Sequence, residues 1–139
     1  MRVLSIGLVL AIAVGCSPAP SRNETGGTPT NADSLNEVAT LLRAYPARGG
    51  KGPAKAADLA PFENGGPLGY AAVKSGEIVL VWGATMAGEG NAASGGGKEV
   101  IAYEKKTPAE GGSVLLVSGE VKAMTAAEFA AAPKAAAKK

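Results

Sequence analysis

Residues 100–129 read VIAYEKKTPAEGGSVLLVSGEVKAMTAAEF, and the patterns in this stretch decide the fold. Val100-Ile101-Ala102-Tyr103 and Val114-Leu115-Leu116-Val117 are short aliphatic and aromatic runs bounded by turn formers, which is how strands read. Lys105 to Gly112 joins them as a loop containing Pro108 and Gly111-Gly112. Ser118-Gly119-Glu120 turns the chain into Val121–Met124, closing a hairpin. Thr125-Ala126-Ala127-Glu128 is a capping box, in which hydroxyl and carboxylate each accept the other residue's free amide. A short helix through Phe129 to Ala132 follows, and Pro133 ends it. Strands joined by tight turns and followed by a helix point to an antiparallel sheet with helices set apart from it, the α+β class.

Upstream, Ser34-Leu35-Asn36-Glu37 is a second capping box, and Leu35, Val38, Leu41, Leu42 and Tyr45 recur at helical spacing before Pro46. The stripe needs a surface to pack on, and a sheet supplies one. Lys51 to Leu68 reads as a connector with a turn or two of helix over residues 54–60, anchored by Leu59 and Phe62 and broken at Asn64-Gly65-Gly66-Pro67. Tyr70-Ala71-Ala72-Val73 and Ile78-Val79-Leu80-Val81-Trp82 read as the strands of a first hairpin, with Gly76 at positive φ and Lys74 facing Glu77. Ser75-Gly76-Glu77-Ile78 returns as Ser118-Gly119-Glu120-Val121, so two similar hairpins are expected. The run at 78–82, apolar on both faces, predicts a central strand. The expected architecture is an N-terminal amphipathic helix packed on a small antiparallel sheet of about four to five strands, with a short C-terminal helix. One α+β domain is expected over residues 33–132, and residues 133–139 form a basic tail whose default reading is a solvated end. Its three lysines give it some attraction to anionic lipid or a wall polymer as an alternative role.

Composition narrows function by exclusion. The 46% hydrophobic content is inflated by alanine, and 20 glycines with 9 prolines rule out a bundle of long helices. A net charge of +2 gives no nucleic-acid footprint. With no histidine, the commonest general base and metal ligand are missing, and a single cysteine forms neither an internal disulfide nor a thiolate cluster. No metal or cofactor is expected. Gly88-Glu89-Gly90-Asn91-Ala92-Ala93 formally fits a dinucleotide pattern and Gly95-Gly96-Gly97-Lys98 a phosphate loop, but neither opens a helix after a strand. Residues 83–97 read instead as a long loop and the candidate contact surface, with Met86, Glu89, Asn91 and Lys98 as its contact residues. Glu77, Glu104 and Glu120 near strand ends are the carboxylates a hydrolase would use, yet two adjoin Ser-Gly turns where polar residues belong. No catalytic residues are expected.

The N-terminus carries the strongest single signal. Met1-Arg2 is followed by twelve apolar or small residues, Val3 to Val14, and then Gly15-Cys16-Ser17, the layout of a secretory signal peptide over residues 1–15. Twelve helical residues reach about 18 Å, short of a hydrocarbon core of about 30 Å. Ala13-Val14-Gly15-Cys16 resembles the lipobox of bacterial lipoproteins, with Ala13 where that family prefers leucine. The resemblance implies a lipidated Cys16, an N-terminus held at a membrane, and an exported protein on the periplasmic face or the outer membrane. Ala11-Ile12-Ala13 offers the alternative of an ordinary cut and a secreted soluble protein. Residues 16–32 then read as the lipidated cysteine and a disordered tether rich in Pro, Gly, Ser and Thr.

The segment Gly111 to Val121, with Met124-Thr125 and Glu128-Phe129 and a fainter echo in Ala56 to Pro61, resembles the terminal hairpin and helix of planctomycete pilin-like proteins. Ser118 and Glu120 stand where that family has Asp and His. The resemblance implies a helix packed on an antiparallel sheet in an exported envelope protein, and no activity. Function is therefore expected to be that of a lipid-anchored, noncatalytic envelope domain binding an envelope protein or polymer. The alternatives are a pilin-like or secretion-apparatus subunit that associates with itself, and a small hydrolase or ligand carrier.

Overall fold

A computed structural model describes residues 30–47, 50–88 and 97–137. Helix α1 (Asn31–Ala44) is followed by a 3-10 helix (Ala56–Gly65), α2 (Pro67–Ser75), β1 (Ile78–Leu80), β2 (Val100–Glu104), α3 (Thr107–Glu110), β3 (Gly112–Leu116), β4 (Val121–Met124) and α4 (Ala126–Ala131). The four strands form one antiparallel sheet in the order β1-β2-β3-β4. The chain is thus an α+β fold with a short C-terminal helix, as its sequence predicts.

Helix α1 starts one turn earlier than Ser34. Thr30 and Asp33 form the capping box: the Thr30 amide donates to Asp33 Oδ2 at 2.8 Å and the Asp33 amide to Thr30 Oγ1 at 3.3 Å. The boundary drawn between residues 32 and 33 therefore falls inside α1. Ser34 is buried within the helix. The stripe itself forms as read, with Leu35, Val38, Leu41 and Leu42 buried and Tyr45 packed edge-on against Phe62, ring centroids 6.1 Å apart.

Residues 70–73 are helical, not a strand. Pro67 at the first turn presets φ, the alanine-rich run favours helix, and Gly76 ends it in the left-handed region at φ 81°. Gly76 takes the positive φ expected of it, but as a helix terminus, and Lys74 lies over the Tyr70 ring rather than facing Glu77. The first hairpin is thereby replaced by a helix, a turn and an edge strand. The second forms as read: Ser113 pairs with Ala123 and Leu115 with Val121, around a turn in which Gly119 has φ 93°.

Nor is β1 central. Among the described residues it ends the sheet, pairing with β2 (Val79 with Tyr103), although Ile78 and Leu80 are buried. Val81 still donates to Ile101 O, but Gly83 leaves the sheet to exchange hydrogen bonds with Gly52 and Pro53. Gly52 and the backbone of Ala84 approach too closely there for a Cβ at position 52.

The sheet separates two apolar clusters. The larger joins α1, Leu59, Tyr70 and Val73 to Ile78, Leu80, Ile101 and Leu115. The smaller lies on the opposite face, where Val100, Val114 and Leu116 meet Phe129 of α4 with Tyr103 and Met124 beside them. Alternation along β3 sends Val114 and Leu116 to one cluster and Leu115 to the other.

Candidate functional site

Of the residues read as a contact surface, Met86 is not on the surface. It is buried in the larger cluster, and Ala87 behind it donates to Val117 O at 2.9 Å. A methionine in a glycine-rich loop folds inward because its apolar side chain is removed from water when it fills the end of the core. Lys98 is exposed, next to Gly97, which accepts from the Ser118 amide at 3.1 Å. Glu89, Asn91 and Cys16 lie outside the described residues.

The three glutamates do not form one constellation. Glu104 ends β2 opposite Ile78, beside Glu77, whereas Glu120 follows the β3–β4 turn at the Val100 end, a strand length of about 13 Å away. Glu77 and Glu120 are exposed. Glu104 is only 5% exposed, and its Oε2 accepts the Ser113 amide at 2.8 Å. Thr107, fully buried at the start of α3, lies beside it, and its Oγ1 has no hydrogen-bond partner among the described residues. Both groups border Gly112, where a Cβ would fall 2.8 Å from Thr107 Oγ1 and onto the Glu104 carboxylate. This polar pocket in the fold is not signalled by any motif. Its only trace in the sequence is an acidic residue closing an apolar run.

An open groove of about 360 Å³ lies between α1 and α2, lined by Asn31, Ser34, Leu68, Ala71, Ser75 and Glu77 among others. Ser75 Oγ donates to Ala72 O in its own helix, and among the described residues Leu68 and Trp82 are the exposed large hydrophobic side chains. Beside the groove α2 packs close against α1 at Gly69, where a Cβ would meet the Val38 amide and Ser34 carbonyl. Glu37 closes the contact: Oε2 accepts the Leu68 amide at 2.7 Å and the Gly69 amide at 2.9 Å. Glu37 thus caps α2 from α1, a role distinct from the local capping box read for it. Sequence spacing holds no signal for such a pair.

Among the described residues, no group of three or more His, Cys, Asp or Glu side chains is placed to hold a metal ion, and no helix is long and apolar enough to cross a membrane. Compared with known proteins, the chain matches no family model, no curated protein and no solved structure.

Proposed function

We propose that this chain is a lipid-anchored, noncatalytic domain of the bacterial cell envelope, attached through Cys16 and presenting its folded part to an envelope protein or polymer. The observation that carries the reading is the lipobox-like Ala13-Val14-Gly15-Cys16 at the end of an apolar leader. The fold is consistent with that mode of attachment. The apolar stripe of α1 is buried against the sheet, so it is not a membrane-binding face, and Leu68 and Trp82 are separate exposed residues rather than a stripe. Two or three acyl chains, at about 0.8 kcal/mol per buried methylene, anchor a protein stably where one chain binds marginally. The noncatalytic part of the reading is supported by Glu104 being committed to the Ser113 amide and by Glu120 lying at the opposite end of the strands from Glu77 and Glu104.

Mass spectrometry of the mature N-terminus from membrane and soluble fractions tests the reading, with Cys16→Ala as the control. Acylated Cys16, lost together with membrane association in the variant, is the expected result. An unmodified terminus at Val14 would sink it.

A second reading, a self-assembling pilin-like subunit, is favoured by β4. The Leu116 amide donates to Glu120 O, so by the alternation of an antiparallel ladder Lys122 and Met124 share its hydrogen-bonded phase while the backbone groups of Val121 and Ala123 point away from β3, and Lys122 and Ala123 are exposed. Lys122 opposes pairing of two such edges at its own position. Sedimentation over a concentration series separates the readings, since a strict monomer at high concentration counts against assembly.

A further inference from the structure

Beyond Val81, β1 no longer lies beside β2, and the chain's own C-terminal segment takes the vacated place. Val100 donates its amide to Pro133 O at 2.8 Å, and Ala135 donates to Val100 O at 2.9 Å, so residues 133–135 run parallel to the start of β2. Ala135 packs on the larger cluster, and Ala137 lies against Gly83, where a Cβ would fall 3.1 Å from that of Ala137. The tail read as a solvated end is thus part of the sheet as far as Ala135.

We propose that residues 133–137 are a latched strap, which opens independently of the rest of the fold and uncovers the backbone edge of β2 at Val100. The strap is held to the sheet by two backbone hydrogen bonds and by alanines, so its release exposes little apolar surface. A hinge is in place at its base. The last amide bond of the preceding helix is from Ala132 to Glu128 O, and Pro133, having no amide hydrogen, adds none that opening would break.

The latch is Lys134. Its Nζ donates to Phe129 O and, at 2.7 Å, to Ala132 O, and it stands 4.0 Å from the centroid of the Phe129 ring. The ammonium therefore satisfies carbonyls left open at the end of α4 while the ring face attracts its charge. Burial against α4 acts the other way, lowering the Lys134 pKa from its ordinary 10.5. The latch fixes the direction in which the chain leaves Ala132 and so aims Ala135 at Val100. A free strap stays tethered beside its seat, so reclosing is an intramolecular step favoured over capture of a strand from elsewhere.

Native-state hydrogen exchange on the full chain tests this, read at single amides by NMR. Val81, which donates to Ile101 O, and Val117, which donates to Glu99 O, are the controls because they lie on either side of Val100 in the sheet. The expected result is that Val100 and Ala135 exchange at a common opening frequency, roughly a hundredfold above the controls, with little denaturant dependence. In Lys134→Ala that opening becomes about tenfold more frequent while the controls hold their rates. Exchange of Val100 and Ala135 at the denaturant-dependent rate of the controls in the native chain would overturn the proposal. That measurement needs no variant.

Discussion

At Gly112 an added methyl group would fall onto two buried polar side chains. Both the Glu104 carboxylate and Thr107 Oγ1 border it, and the β3 backbone cannot move away without loosening the Ser113 amide from Glu104. Gly112→Ala is expected to lower stability by about 1–3 kcal/mol, read as a fall in the urea midpoint at unchanged slope. Single residues also set an acid dependence. The Thr125 amide, then its hydroxyl, hold the Glu128 carboxyl below its ordinary 4.5, and the Thr30 hydroxyl, then its amide, do the same for Asp33 below 3.8. Because the folded-state values are the lower ones, this stabilisation is complete above the ordinary values and is lost as pH falls through the depressed ones. Thr125→Ala is expected to raise the Glu128 pKa towards 4.5, followed by carboxyl NMR titration, and to make the acid limb of the stability curve shallower. The residues of the α1 stripe were legible because burial follows periodicity. Met86 was not, since its burial depends on where a loop is led by the strands around it.

At the scale of elements, the Ser-Gly-Glu tripeptide shows what local sequence specifies. In both copies the glutamate amide lies 3.4 Å from the serine Oγ and the glycine has positive φ. One copy ends α2 and the other turns a hairpin. The tripeptide encodes a reversal of direction and leaves the preceding element to other forces. For residues 70–73 those forces are Pro67, the alanines and the carboxylate of Glu37, and only the first two are visible locally. Glu37→Ala is expected to cost about 1–2 kcal/mol, the scale of a lost helix cap, with Glu37→Gln retaining part of it. Thermal unfolding of the two variants side by side checks the ordering. If alanine and glutamine are both neutral, Glu37 does not cap α2.

Across the whole molecule, the sheet keeps the two apolar clusters apart, and among the described residues Phe129 of α4 is the large side chain that covers its second face. Phe129 packs against Tyr103 with centroids 4.7 Å apart and the rings tilted by 54°, and it lies under Lys134. Phe129→Ala is expected to destabilise the fold by about 3 kcal/mol and to remove amide protection at Val100 more than at Val81, measured by denaturation and exchange on one sample. The α+β class was legible because strand runs and capping boxes are local. The strand order was not, because placing β1 at an edge depends on Gly83 meeting Gly52 and on the C-terminal segment taking its place, contacts between distant parts of the chain.

The carboxylate that closes α2 precedes the amides it receives by 31 and 32 positions. Whether it leaves the ribosome or crosses a membrane behind its leader, the chain emerges from its N-terminus, so Glu37 and the whole of α1 are already out when Pro67 appears. The second helix therefore meets its cap as it emerges, and the pair can form a helical hairpin before any strand of the sheet has emerged.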